Sequence, residues 1–110
     1  MKINYQSDRD KKIFTDTKKL NKKYGQLSIQ ISQRILQLQA TVNLGQYLKI
    51  GLGKPHFLQD PYKGDIGISI SKNYRLIVKP IYPKGFDQSS PNFDLVKEII
   101  IVEVVDYHGK

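Results

Sequence analysis

The period of the hydrophobic positions changes twice along this 110-residue chain. Ile3 and Tyr5 alternate with polar neighbours and predict a short strand over Lys2 to Tyr5, with both on one face. Ser7 or Asp8 can then cap a helix, because a side-chain oxygen there accepts from the orphan N–H groups of the first turn. Ile13 and Phe14 anchor that helical piece. A second start signal, Thr15-Asp16-Thr17, precedes Leu20 and Tyr24 at i and i+4, with Lys18, Lys19, Lys22 and Lys23 around them. Gly25 closes the segment as a C-terminal cap.

From Gln26 to about Thr41 the spacing is again helical. Leu27, Ile31, Ile35 and Leu38 form the stripe, and Leu36 and Val42 broaden it. Two helices joined at Gly25 predict an antiparallel hairpin. Leu44 to Leu48 adds one more turn before Gly51, Gly53 and Pro55 break the helix. After Pro55 the period is two. Ile66, Ile68 and Ile70 alternate with Gly67, Ser69 and Ser71, Lys72-Asn73 makes a hairpin turn, and Tyr74 to Pro80 returns. Pro83, Gly85, Ser89, Ser90 and Pro91 mark a surface loop over residues 82–92. Leu95 to Val105, dense in Val and Ile, reads as a long central strand. Strand, helices, then three strands predict an α+β domain spanning residues 1–110, its helical pair packed on a small curved sheet.

Charge narrows the choice of partner. Eighteen Lys and Arg against ten Asp and Glu give a net charge of +8, so RNA, DNA or an acidic protein is the natural counterpart. The competing reading is a basic surface kept for solubility. Seven tyrosines add surfaces on which bases stack. No stretch approaches the roughly 18 apolar residues that span a membrane, and no apolar signal segment follows Met1. A domain this small without cysteine fits the cytoplasm better than an oxidising compartment.

The candidate chemistry lies in four places. Asp106, Tyr107 and His108 follow the most apolar strand and join an acid, a phenol and an imidazole; the bland alternative is a solubilising polar tail. His56 sits between a helix end and the strand hairpin, where a histidine satisfied by backbone is the alternative. Lys63, in the turn Lys63-Gly64-Asp65, can offer a point charge to phosphate or be merely solvated. Arg75, within an apolar strand, points to an anion-binding cleft, to solvent, or to an acid such as Asp106. Two histidines without cysteine or His-x-x-x-His spacing argue against zinc. No P-loop, dinucleotide fingerprint or nucleophile elbow occurs, and no cofactor is expected. What remains is a metal-independent set of Lys, Arg, His, Tyr and Asp, suited to RNA because that substrate supplies its own 2′-hydroxyl nucleophile.

The run Lys54-Pro55-His56-Phe57-Leu58, then Lys63-Gly64-Asp65-Ile66-Gly67-Ile68, Tyr74-Arg75-Leu76-Ile77 and the terminal Asp106-Tyr107-His108 resembles HigB-type toxins of the RelE/ParE superfamily, the plasmid maintenance system killer protein group. Phe14, Lys18-Lys19-Leu20 and Lys23-Tyr24-Gly25 extend the likeness over nearly the whole chain. The 82–92 loop departs from it, being longer and richer in Pro and Ser. The resemblance implies a RelE/ParE-like α+β fold, with the N-terminal strand and helical hairpin on a mainly antiparallel sheet. It implies a ribosome-dependent endoribonuclease that cleaves translated mRNA and is neutralised by a HigA-like helix-turn-helix antitoxin. Operator DNA would be met only through that antitoxin, and no membrane is involved.

Carried onto this chain, the family's site falls on His56, Lys63, Arg75, Asp106, Tyr107 and His108. His108 or Asp106 would deprotonate the 2′-hydroxyl and His56 protonate the leaving 5′-oxygen, with the two roles exchangeable. Lys63 and Arg75 would stabilise the phosphorane, and Tyr107 would stack on a base or bond the phosphate. Two alternatives stay open: a ParE-like inhibitor of a protein target such as DNA gyrase, which typically lacks the paired histidines, and an inactive relative kept as a partner-binding domain.

Overall fold

The computed structural model describes residues 1–107. Strand β1 (Lys2–Tyr5) leads into helices α1 (Asp8–Thr15), α2 (Thr17–Tyr24), α3 (Ser28–Ala40) and α4 (Leu44–Ile50). Strands β2 (His56–Phe57), β3 (Ile66–Ser69), β4 (Tyr74–Pro80) and β5 (Glu98–Asp106) follow. Side-chain caps fix the helix starts. Ser7 accepts from the Asp10 N–H, Asp16 from those of Lys18 and Lys19, and Asn43 from that of Gln46. Asp16 ends α1 and starts α2, which is why one lysine-rich segment becomes two short helices. Beyond Gly25 a single 3₁₀ turn (Gly25–Leu27) intervenes, so α3 begins at Ser28 rather than at Gln26.

The five strands lie in the order β1-β5-β4-β3-β2. Among the described residues only β1 and β5 run parallel; the other pairs are antiparallel. The two-residue β2, unforeseen because it is too short to have a period, pairs His56 with Gly67 and Phe57 with Ile66. Between β4 and β5 the register slips by one. Ile77 faces Glu103 but Val78 faces Ile101, so Val102 has no partner on β4. This is a β-bulge on β5, and it reverses which face each later residue occupies. Ile99 and Ile101 point into the helix-facing core before the bulge, and Val104 does so after it.

Phe14, Leu20, Ile31, Ile35, Leu38, Leu44 and Tyr47 from the helices meet Ile66, Ile68, Leu76, Val78, Ile99 and Ile101 from the sheet in one core. Each fully buried aliphatic side chain there contributes about 1.5–3 kcal/mol. Leu36 and Val42 do not broaden that stripe. They are 63% and 67% exposed: α3 buries the line of Ser28, Ile31, Ile35 and Leu38, and Val42 lies beyond its end.

The opposite face of the sheet is covered locally by residues 58–65. Leu58 lies against Gly67, where a Cβ would come within 3.0 Å of its Cδ2. Ile77, across the ladder from Gly67, is fully buried yet lies outside the helix-facing core. The 82–92 loop returns to the body through an aromatic series, Tyr82 on Phe86, Phe86 on Phe93 and Phe93 on Phe57.

Candidate functional site

The turn between α4 and β2 shapes the first wall. Gly51 and Gly53 take left-handed conformations, and Lys54 does so at φ 51, a backbone region that costs a side-chain-bearing residue free energy. Gly53 is also a point of close approach. A Cβ there would stand 2.5 Å from Ile68 Cγ2 and 2.8 Å from Arg34 Nε. That space lets Arg34, from the middle of α3, reach the sheet, where its Nε donates to the Ser69 carbonyl at 2.8 Å. Nη1 of Arg34 donates to Gln37 Oε1 at 2.8 Å.

His56 Nδ1 lies 3.2 Å from the Lys54 carbonyl oxygen. A carbonyl can only accept, so Nδ1 carries the hydrogen, and Nε2 is the nitrogen left to take or give a proton. Arg75 stands across β3 from His56's strand, paired with Ser69. Its Nη1 donates to the carbonyls of Ser71 and Tyr74, each at 3.1 Å, so the guanidinium is held at the mouth of the β3–β4 hairpin. Its carbon also lies 5.2 Å from the centroid of the Tyr107 ring, a cation–π contact.

These groups converge on a cleft of about 540 Å³ lined by Arg34, Gly53, Lys54, His56, Ser69, Lys72 and Arg75. Four of the side chains are cations, and none of those lining residues is a carboxylate. Such a cleft concentrates positive potential and suits an anion with several acceptor oxygens, phosphate above all.

A second cleft of about 590 Å³ shares His56 with the first. Pro61, Tyr62, Val105, Asp106 and Tyr107 form much of its wall. The 58–65 segment is tied down by its own backbone bonds, Leu58 N–H to Asp65 at 2.9 Å, Tyr62 N–H to Gln59 at 3.0 Å and Asp65 N–H to Tyr62 at 2.8 Å. The Asp60–Pro61 peptide within it is cis. Tyr62 reaches over the sheet to donate its hydroxyl to Glu103 Oε2 at 2.7 Å. The carboxylate of Glu103 raises the Tyr62 phenol above its ordinary range, so that hydroxyl keeps its proton. Glu103 and Val105 occupy this face because of the bulge at Val102.

No family model and no curated protein matches the chain. Solved structures do. A YoeB/ParE toxin from Agrobacterium tumefaciens shares 15% identity at a TM-score of 0.58, over 98% of this chain and 100% of that one. The YoeB-YefM complex from Staphylococcus aureus shares 19% at 0.54, over 98% of this chain and 97% of that one. The chain has the RelE/ParE toxin fold.

On that RelE/ParE frame the sequence-predicted residues divide. His56 and Arg75 line the basic cleft, and His56, Asp106 and Tyr107 line the adjoining one. Tyr107 links the two through its contact with Arg75. Lys63 lines neither cleft; it is exposed in the turn that closes the 58–65 segment. His108 lies outside the described residues. Sequence reasoning passed over Arg34, Lys72 and Tyr62 as site residues. Arg34 stands alone among the Gln and Ser residues of α3's polar face, and that isolation was the one available signal.

Proposed function

We propose that this chain is the toxin of a type II toxin–antitoxin system, a HigB-like endoribonuclease that cleaves mRNA during translation. The observation that carries the reading is the basic cleft: Arg34, Lys54, Lys72 and Arg75 gathered around His56, beside a cleft walled by Tyr62 and Tyr107. The first suits a phosphodiester and the second a flat ring, and a nucleotide offers both.

In the proposed reaction a general base takes the proton of a ribose 2′-hydroxyl. The freed oxygen attacks the neighbouring phosphorus, and the cationic groups stabilise the charge that builds on the phosphorane oxygens. The bond to the 5′-oxygen then breaks, and a general acid supplies that oxygen with a proton. The products are a 2′,3′-cyclic phosphate and a free 5′-hydroxyl, with no redox change. His56, with Nε2 able to exchange a proton, is assigned to the acid, and Asp106 or His108 to the base. Lys63 is given at most a long-range electrostatic role, because it lines neither cleft.

A HigA-like helix-turn-helix antitoxin is the proposed partner, binding operator DNA on behalf of the complex, and the cytoplasm the proposed site of action. The solved YoeB-YefM complex supports an antitoxin partner in general. So does the helical face, where Ile29 (75% exposed) and Leu36 flank a groove beside lysine-rich α2. No helix among the described residues is long and apolar enough to cross a membrane.

Primer extension on an mRNA under translation in a purified system tests the activity, beside naked mRNA and the Arg75→Ala and His56→Ala variants. Ribosome-dependent cuts that weaken strongly in both variants are expected. Intact mRNA in every lane, with folded protein, would move the assignment to an inhibitor of a protein target.

A further inference from the structure

Ser69 joins three walls of the basic cleft. The backbone N–H donates to the Gly53 carbonyl at 2.7 Å, a tie to the turn before β2. Its carbonyl accepts from Arg34 Nε at 2.8 Å, a tie to α3. The hydroxyl donates to the Ser71 carbonyl at 3.1 Å, and that same carbonyl accepts from Arg75 Nη1 at 3.1 Å, a tie to the β3–β4 hairpin. A serine hydroxyl among cations would ordinarily be read as a donor to phosphate. Here its only hydrogen is committed, because a carbonyl oxygen can only accept, and towards an anion the hydroxyl turns lone pairs.

The two arginines are held in a matching way. Arg34 uses Nε and Nη1 for its bonds to Ser69 and Gln37, and the bonds of Arg75 to Ser71, Lys72 and Tyr74 all fall on Nη1. Among the described residues neither set uses Nη2. Every acceptor in these bonds is a neutral oxygen, so they orient the guanidiniums and leave the charge uncancelled.

We propose that Ser69 is a positioning residue of this cleft, joining Arg34 and Arg75 through its carbonyl and its hydroxyl into one preorganised clamp for the phosphodiester. The inference rests on the nuclease reading, and adds to it a residue that acts on the phosphate only through the arginines. The hydroxyl is the half of the joint that depends on the side chain. Any residue at position 69 supplies the carbonyl for Arg34, whereas holding the Ser71 carbonyl beside Arg75 takes a side-chain donor. Donors fixed before the reaction stabilise charge on the phosphorane oxygens without reorganising as it builds. Loosening Arg75 therefore slows the step in which charge builds more than it weakens RNA binding, which the other cations of the cleft sustain.

Single-turnover cleavage of translated mRNA by the full chain, followed over a range of protein concentrations, tests the assignment. Ser69→Ala removes the hydroxyl and leaves both backbone bonds. It should lower the limiting rate about tenfold, the effect of one oriented hydrogen bond, with the half-saturating concentration within about twofold of the parent. Ser69→Thr, which restores a hydroxyl, should cleave within about twofold of the parent, and Ser69→Val, of similar shape without it, should be as slow as Ser69→Ala. In an Arg75→Ala background the Ser69→Ala change should lower the rate by less than about twofold, because its effect passes through Arg75. Parental rates in Ser69→Ala and Ser69→Val, or a tenfold loss (about the same size) that persists without Arg75, would overturn the positioning role and leave the nuclease reading standing. Absence of cleavage by the folded parent would overturn the two together.

Discussion

Arg34 reaches the sheet only because residue 53 has no side chain: a Cβ at Gly53 would lie 2.8 Å from the Arg34 Nε and 2.5 Å from Ile68 Cγ2. The same glycine holds φ at 75°. Gly53→Ala therefore combines a left-handed backbone penalty with overpacking, and should destabilise the fold by about 2–4 kcal/mol. Thermal unfolding would register this as a drop in Tm. Arg34→Ala should be far milder on stability yet weaken RNA binding, which separates the cleft's architecture from its charge.

Arg75 is engaged on two sides, by hairpin carbonyls and by the Tyr107 ring. Lysine keeps the charge but not the planar fork, so Arg75→Lys should fall well short of the parent in cleavage. A loss of about 10²–10³-fold in cleavage rate is expected for Arg75→Ala, the usual effect of removing one charge-stabilising donor. Single-turnover cleavage rates would give both values; parental rates in the alanine variant would remove Arg75 from the reacting centre.

Lys54 combines a strained backbone with a charge in the cleft wall. Lys54→Gly should hold or raise unfolding stability by up to about 1 kcal/mol, because glycine tolerates φ 51 without penalty. The same change should weaken RNA binding. Denaturant titration beside a binding curve tests the trade, and a loss in both would mean that the Lys54 side chain has a packing role.

Tyr47 is fully buried and donates to the Leu52 carbonyl at 2.7 Å. Burial pushes its phenol up to about 12. The folded state thus retains a proton that the unfolded chain gives up near pH 10, so this residue's share of stability is complete below pH 10 and is lost as pH rises towards about 12. Tyr47→Phe should cost about 1 kcal/mol at neutral pH, for the lost hydrogen bond. It should also flatten the alkaline fall in stability relative to the parent. Urea unfolding at a series of pH values from neutral to alkaline compares the two slopes.

The layers of the fold were legible because helix and strand leave different periods. Leu20 and Tyr24, Ile31 and Ile35, then Ile66 and Ile68 report local backbone geometry directly. Leu36 and Val42 misled, since an apolar residue at the margin of a stripe can be left for a partner rather than the core. His56, Arg75 and Tyr107 were legible as chemistry out of place in their segments. Arg34 was not, because a lone cation on a polar helix face looks solvated until tertiary packing brings it beside Ser69. Tyr62 was hidden for the same reason: its partner Glu103 is 41 residues away, and no local pattern couples them.

The bulge at Val102 acts as a change of parity. Before it, odd-numbered residues of β5 face the helices; after it, even-numbered ones do. Pair Val102 with Ile77 instead and the ladder becomes regular, but Glu103 and Val105 turn into the oily layer and Val104 turns out. The strand would keep every hydrogen bond it could make and lose the carboxylate that anchors Tyr62. In this chain an imperfection in the ladder is what gives the sheet a working side.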